Sequence, residues 1–339
     1  MSVIIIAEAG VNHNGNIDLA KELIDIASDA RADYIKFQTY KSDSLVHYSS
    51  LKANYQKNNK INDQETQLDM LKKLELSHYD HIELIEYCKL KEIKFLSSAF
   101  DLESLEYLND LNLDMFKIPS GEITNYPYLK KIADFGKPVI LSTGMSSIKD
   151  IRNALNLLVN GKLSIDDITV LHCNTDYPTS YSDVNIHAMN DIKNNFRTKI
   201  GYSDHTLGIE VSLAAVALGA TIIEKHFTID RNLNGPDHKA SLNPKELKKL
   251  VSSIRNIELS ISGTGNKEIT NSERKNIKYV RKSLYYNKSL LSGYHISAKD
   301  IISLRPGDGI SPMEWNKIIG KRLKINVKKL KKISFEDFE

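Results

Sequence analysis

The chain predicts a (β/α)8 barrel of the TIM type followed by a small β-rich module. Three observations carry that prediction. Eight short apolar runs recur between Val3 and His226, most of them separated by segments of helical periodicity. Each run ends in polar or ionisable side chains, which a parallel barrel gathers at its carboxyl-terminal mouth, where active sites lie. Near-continuous apolar strands alternating with helices are buried on both faces, as parallel strands are. After the helical pattern that ends near Leu259, the character changes to short strand-like pieces between turn residues. An open doubly wound sheet is the alternative. No G-x-G-x-x-G loop follows the first run, which weakens a dinucleotide-binding version and leaves the barrel favoured.

Taken in order, Val3–Ala7 ends at Glu8; it has no basic flank and is too short for a signal segment or a membrane span, so it reads as a buried strand. Helical periodicity over Ile17–Ser28 leads to Asp33–Phe37, in which Lys36 shares the parity of Tyr34 and Gln38. An insertion, Lys41–Ser77, follows. It contains the polar stretch Lys57–Gln67 and a short extra helix at Gln67–Leu74, and its length predicts a functional or capping role. A helix at His78–Lys91 precedes Lys94–Leu96, with Ser97, Ser98 and Phe100 beyond it. Next come Asp114–Ile118, with Lys117, Ser120 and Glu122, and Pro138–Leu141, with Ser142 and Thr143. A helix at Ile148–Val159 leads to Ile168–Leu171, with His172 and Asn174.

The last two runs bracket a helix at Val211–Leu218. Thr198–Tyr202 leads into Ser203-Asp204-His205, and Thr221–Ile223 into Glu224-Lys225-His226. Alternation along a strand puts Glu224 and His226 on one face and Lys225 on the other. With the helix Pro244–Leu259, these elements assign residues 1–261 to the barrel. Residues 262–278, rich in Gly, Asn, Thr and Ser, read as a linker. Residues 279–339 form the small module, with strand-like pieces at Ser283–Tyr286, His295–Ile296, Ile301–Leu304 and Leu323–Val327 around the turn Arg305–Pro312. That module is too short to build a large core alone.

The composition is that of an ordinary globular protein: 339 residues, 41% apolar, with a mean hydropathy of −0.34. A net charge of +3, with its excess concentrated in the solvated run Lys321–Lys332, gives no argument for nucleic acid. Two cysteines in unrelated contexts, Cys88 and Cys173, argue against a disulfide framework and fit a reducing cytoplasm.

The strand ends carry the chemistry. His205 and His226, on adjacent parallel strand ends, are placed to share one divalent metal; singly, each is also a plausible loop residue with a satisfied hydrogen bond. Lys36 and Lys117 lie in otherwise apolar strands, where lysine is rarely buried unpaired. With the hydroxyls of Ser98, Ser120 and Ser203 they form a candidate cradle for phosphate or carboxylate, the alternative being structural ion pairs.

Eight motifs follow one another in order: NHNG (Asn12–Gly15), KFQT (Lys36–Thr39), KIPSGE (Lys117–Glu122), STGM (Ser142–Met145), LHCNTDYPT (Leu171–Thr179), GYSDHT (Gly201–Thr206), EKHFT (Glu224–Thr228) and GPDHKAS (Gly235–Ser241). The chain thereby resembles the nonulosonic acid synthases, the N-acetylneuraminate (sialic acid) synthases and their N,N'-diacetyllegionaminate relatives. The C-terminal module resembles their antifreeze-like (SAF) domain. The resemblance implies a transferase that condenses phosphoenolpyruvate with the open-chain aldehyde of an N-acetylmannosamine-type sugar, giving a nine-carbon 2-keto acid and phosphate. It implies a divalent metal, manganese or magnesium, held by His205 and His226. It gives phosphoenolpyruvate to Lys36, Ser98, Lys117, Ser120 and Ser203, and sugar hydroxyls to Glu8, Gln38, Tyr177 and Asp237. Glu224 joins the substrate-binding set, Phe100 packs against substrate, and Glu122 is the candidate acid/base, with Glu8 also in the catalytic group. It also implies a homodimer with exchanged small domains, Arg305 of one chain reaching the sugar's N-acetyl group over the barrel of the other.

Two positions depart from the family pattern. Thr175 stands where some members have asparagine, so Asn174 and Thr175 are alternative substrate contacts. The third strand reads SSAF in place of STPF. The motifs AEAGVNHNG and IEVSLAAVALGA lean toward the diacetyllegionaminate branch, while KFQT and GPDH occur in both, so N-acetylmannosamine and the 2,4-diacetamido-trideoxy sugar stay open. The rival readings are a Schiff-base pyruvate aldolase using a strand-end lysine and a non-catalytic carbohydrate-binding protein.

Overall fold

The computed structural model describes residues 2–53 and 66–339, so most of the polar stretch at 57–67 lies outside the described residues. The chain divides into two compact units, Met1–Ser262 and Gly263–Glu339.

In the first unit the elements are β1 (Ile4–Gly10), α1 (Ile17–Asp29), β2 (Tyr34–Thr39), α2 (Ser42–Leu45), α3 (Gln67–Leu74), α4 (His78–Leu90), β3 (Lys94–Ala99) and α5 (Leu102–Asp110). They continue as β4 (Phe116–Ile118), α6 (Tyr126–Phe135), β5 (Val139–Ser142), α7 (Ile148–Val159), β6 (Ile168–Cys173), α8 (Ala188–Phe196), β7 (Lys199–Asp204), α9 (Glu210–Ala217), β8 (Ile222–His226) and α10 (Pro244–Ile261). The eight strands are parallel and close in sequence order, β8 pairing back onto β1. Each expected run is a strand, and the expected helices appear with ends shifted by a residue or two. Helices α5, α6 and α8 complete the alternation.

Local sequence fixes the helix starts. Capping boxes open α3 (Thr66 with Asp69), α4 (Ser77 with Asp80), α7 (Ser147 with Asp150) and α10 (Asn243 with Glu246). The main core lies between strands and helices, where residues such as Ile5, Ile35, Leu84, Ile132, Leu155 and Leu250 are fully or almost fully buried.

Inside the barrel, Ile6, Tyr34, Leu96, Ile140, Leu171 and Ile222 form an apolar plug. Two residues further along the same strands, and so on the same face, stand Glu8, Lys36, Ser98, Ser142, Cys173 and Glu224. The interior thus passes from apolar to ionisable in one strand period, and that step sets the floor of the site.

The second unit carries the helix α11 (Asn271–Val280), which takes up the second half of the stretch expected to be a linker and runs two residues beyond it, and an antiparallel pair of strands, β9 (Ser283–Tyr286) and β10 (Ile301–Leu304). His295, Leu323 and Val327 make isolated bridges in place of the longer strands expected there. The unit has its own apolar cluster, including Leu284, Tyr286, Ile296, Ile318 and Leu323. Beside it, the buried Asp300 carboxylate pairs with Lys288 at 2.7 Å and accepts the Ser297 amide at 2.8 Å.

Candidate active site

A cavity of about 360 Å³ opens at the carboxyl ends of the strands. Of the barrel residues expected to act, Glu8, Lys36, Gln38, Ser98, Phe100, Lys117, Ser120, Glu122, Thr175, Tyr177, Ser203, His205, Glu224, His226 and Asp237 all line it. Asn174 does not. Its side-chain amide donates to the Asp183 carbonyl at 2.9 Å, and its own carbonyl accepts the Nδ1–H of His205. Of the two alternatives, Thr175 is therefore the residue that faces the cavity. Arg305 belongs to the second unit, exposed just past the end of β10.

The floor is a chain of alternating charges. Lys36 Nζ lies 2.8 Å from Glu8 and 3.7 Å from Glu224, and donates to Ser98 Oγ at 3.1 Å. Lys117 Nζ lies 3.2 Å from Glu224, whose Oε1 also accepts the Ser203 hydroxyl at 2.9 Å. Burial pushes Glu8 up to about 7, more than Lys36 pulls it down. Burial alone would raise Glu224 as well, but the two ammoniums and the Ser203 hydroxyl hold it down at about 2. Burial lowers Lys117, while for Lys36 the two carboxylates outweigh burial and raise it. The structural pairing is present, the glutamates organising the lysines, and both lysines still line the cavity.

The two imidazoles stand with ring centroids 5.6 Å apart, and the Tyr177 ring packs 4.2 Å from that of His205. A carbonyl can only accept, so Asn174 fixes the proton of His205 on Nδ1 and leaves Nε2 as its lone-pair nitrogen. Nδ1 of His226 is buried without a hydrogen-bond partner, and Asp237 Oδ2 lies 3.9 Å from it. Burial holds both rings neutral, His205 at about 4 and His226 well below its usual value. Among the described residues no group of three or more His, Cys, Asp or Glu is placed to hold a metal ion, so a metal here would rest on the two imidazoles. A neutral imidazole pair with an orphaned ring nitrogen and a neighbouring carboxylate does fit a divalent ion with coordination positions left open for substrate.

Glu122 sits on the 3-10 turn Ser120–Glu122 and accepts the Asn125 amide at 2.6 Å; burial raises its carboxyl. Burial likewise pushes Asp237 up to about 6. Lys225 turns away from the cavity, as the alternation requires, and pairs with Asp204 at 2.9 Å behind the strands.

Much of the motif sequence is scaffold. Asn12 donates to the Phe227 carbonyl at 2.7 Å and to Ser241 Oγ at 2.9 Å, while His238 contacts Thr228 at 2.6 Å and Asn14 at 3.2 Å. NHNG, EKHFT and GPDHKAS thereby tie the first loop to the last. Gly10, at φ +54°, lies against His226, and a Cβ there would meet the ring at 3.1 Å. Among cavity residues absent from the expected set, Ser142 offers a buried hydroxyl with no hydrogen-bond partner, and Cys173 lies 3.3 Å from Ser120 Oγ. Strand parity from Ile140 and Leu171 points to both. Helix α3 also lines the cavity, with Gln67, Met70 and Leu71.

Comparison with known proteins gives this arrangement its place. Residues 23–267 match the NeuB family and residues 281–339 the SAF domain. The chain is 52% identical to the N,N'-diacetyllegionaminic acid synthase of Campylobacter jejuni over 94% of its length and 95% of that protein's. It is 47% identical to the protein of the same description from Legionella pneumophila, over 96% of this chain and 92% of that one. Among solved structures, the N-acetylneuraminic acid (sialic acid) synthetase of Leptospira borgpetersenii, in complex with citrate, superposes with a TM-score of 0.71 at 37% identity, over 82% of this chain and 90% of that one. With a closed eight-stranded barrel, ionisable residues gathered at its mouth and near full-length relatives, the chain belongs to the NeuB family.

Proposed function

We propose that this enzyme condenses phosphoenolpyruvate with the open-chain aldehyde of 2,4-diacetamido-2,4,6-trideoxymannose, releasing phosphate and N,N'-diacetyllegionaminate. The observation that carries the reaction is the convergence of two buried lysines and two neutral histidines on one cavity floor. The choice of sugar rests on the two relatives at 52% and 47% identity, against 37% for the sialic acid synthetase.

Lys36 and Lys117, with the hydroxyls of Ser98, Ser120, Ser203 and Ser142, seat the phosphate and carboxylate of phosphoenolpyruvate. His205 and His226 would hold a manganese or magnesium ion, which when bound polarises the aldehyde oxygen as a Lewis acid. Glu8, Gln38, Tyr177 and Asp237 orient the sugar hydroxyls, and Phe100 covers the chain. The enol carbon of phosphoenolpyruvate attacks the aldehyde carbon, making the new C–C bond. Water then adds at the former enol carbon, and phosphate leaves with its bridging oxygen. Glu122, its carboxyl raised by burial, supplies and accepts protons in those steps.

The reading includes a homodimer that exchanges its small units, with Arg305 serving the partner's sugar. It also includes a cytoplasmic setting, consistent with free thiols at Cys88 and Cys173. Among the described residues no helix is long and apolar enough to cross a membrane. The test is incubation with phosphoenolpyruvate, Mn²⁺ and each candidate sugar, with phosphate release and product mass as readouts. The diacetamido sugar is expected to give the nine-carbon acid. Product from N-acetylmannosamine alone would move the enzyme to the sialic acid branch, and borohydride trapping of pyruvate on Lys36 or Lys117 would make it an aldolase.

A further inference from the structure

The cavity has a second lining of which this chemistry uses Phe100 alone. Helix α3 turns Gln67, Met70, Leu71 and Leu74 toward it, spaced i, i+3, i+4 and i+7 on one helix face, while Asp69, Lys72 and Lys73 are exposed. Met70, Leu71 and Leu74 pack with Val11, Tyr40, Leu45 and Phe100 into an apolar cluster distinct from the plug and from the main core. The wall is anchored. Tyr40 donates to the Leu71 carbonyl at 3.3 Å, Glu75 accepts the Ser42 amide at 2.9 Å and its hydroxyl at 2.7 Å, and Lys72 pairs with Asp43 at 2.7 Å.

Depth assigns an occupant to this wall. Lys36, Gln38 and Tyr40 climb one face of a single strand line, about 7 Å per step of two residues. Ser98 and Phe100 climb beside them. The ammoniums thus sit at the bottom and the apolar wall at the top. An aldose that reacts through its aldehyde at the lysine and histidine level presents its other end, the terminal carbon, to the wall. A hydroxymethyl group there would give up hydrogen bonds to water against Leu, Met and Phe side chains, whereas a methyl group would not.

We propose that the wall of Tyr40, Leu45, Met70, Leu71 and Phe100 selects an aldose ending in a methyl group over one ending in a hydroxymethyl group. This rests on the diacetamido-sugar reading above and names the part of the protein that enforces it. The sensitive pair of substrates is 2,4-diacetamido-2,4,6-trideoxymannose and its 6-hydroxy counterpart, which differ in that one group. An apolar pocket rejects an added hydroxyl by at most about 100-fold, so a kcat/KM ratio of about 10 to 100 in favour of the 6-deoxy sugar is expected. Met70→Gln and Leu71→Gln, at half-buried helix positions that tolerate glutamine, are each expected to reduce that ratio about tenfold while KM for phosphoenolpyruvate holds. Equal kcat/KM for both sugars in the unmodified enzyme would overturn the inference and leave the proposed function standing. A ratio unchanged in both variants would also overturn it. Preference for N-acetylmannosamine over both sugars would overturn the reading and the inference together.

Discussion

Lys36 and Glu8 are register partners on neighbouring strands, and their charged ends meet 2.8 Å apart at the centre of the barrel, 3% and 1% exposed. Neither group has water to fall back on. Lys36→Met would leave Glu8 without its ammonium and Glu224 with Lys117 alone. Breaking a buried pair by removing one partner costs about 3–5 kcal/mol. Urea denaturation should show a loss of that order, partly recovered in the Lys36→Met, Glu8→Gln double variant, because the glutamine leaves no buried charge.

Among the described residues two further buried lysines, both ion-paired, differ in whether their loss should reach substrate binding. Lys117 faces the cavity and Lys225 faces away from it. Lys117→Met removes a charge-assisted contact worth about 2–3 kcal/mol, so phosphoenolpyruvate affinity should fall about 30- to 150-fold by calorimetry. Lys225→Met strands Asp204 behind the strands, so its loss should appear in thermal unfolding while phosphoenolpyruvate affinity is kept.

Metal content tests the imidazole pair independently of turnover. His205→Ala and His226→Ala should each lose manganese binding, read by calorimetry or elemental analysis, in a protein whose circular dichroism is unchanged. Full retention in His226→Ala would place the ion elsewhere.

Asp300 gives the second unit an acid-sensitive lock. Burial opposes its ionisation, but Lys288 and Ser297 hold its carboxyl at about 2, against 3.8 for the free group. A depressed carboxylate contributes stability that is present above the unfolded value and lost as pH falls from 3.8 through about 2. The chain has a single tryptophan, Trp315, packed against the second unit's core, so its fluorescence follows that unit within the whole protein. Asp300→Asn should be less stable than the unmodified chain at pH 5, and the two should converge near pH 2.

The exchanged dimer is tested by mixing lesions. His205→Ala and Arg305→Ala, unfolded and refolded together, should recover activity if the small unit serves the partner's barrel. If it serves its own, every site carries one lesion and the mixture stays inactive.

The barrel was legible because its strands are buried on both faces and its helices are periodic. The polar layer was legible for a related reason: a side-chain period of two carries Ile6 to Glu8 and Tyr34 to Lys36 on one face. Helices α5, α6 and α8 were not read from the sequence, although Asp101 and Asn125 supply N-cap side chains for the first two. Helix α11 was hidden by its polar composition, although Thr270 and Glu273 spell a capping box. Asn174 and Thr175 could not be separated by sequence because the choice depends on a hydrogen bond to Asp183. The apolar wall was also illegible, because its residues come from four separate stretches and meet only when α3 folds over the mouth.

The tie between the first and last loops has a consequence for synthesis. Asn12 waits for the Phe227 carbonyl, 215 residues further along the chain, and the two lysines wait for Glu224. At roughly 5–20 residues per second, the ribosome takes on the order of ten to fifty seconds to deliver them. Until β8 emerges the growing sheet of up to seven strands keeps open edges and Lys117 has no carboxylate partner, an invitation to wrong pairing. Chains released before Ile222 should therefore collect on chaperones or in aggregates, whereas those released after Ser241 can close the ring.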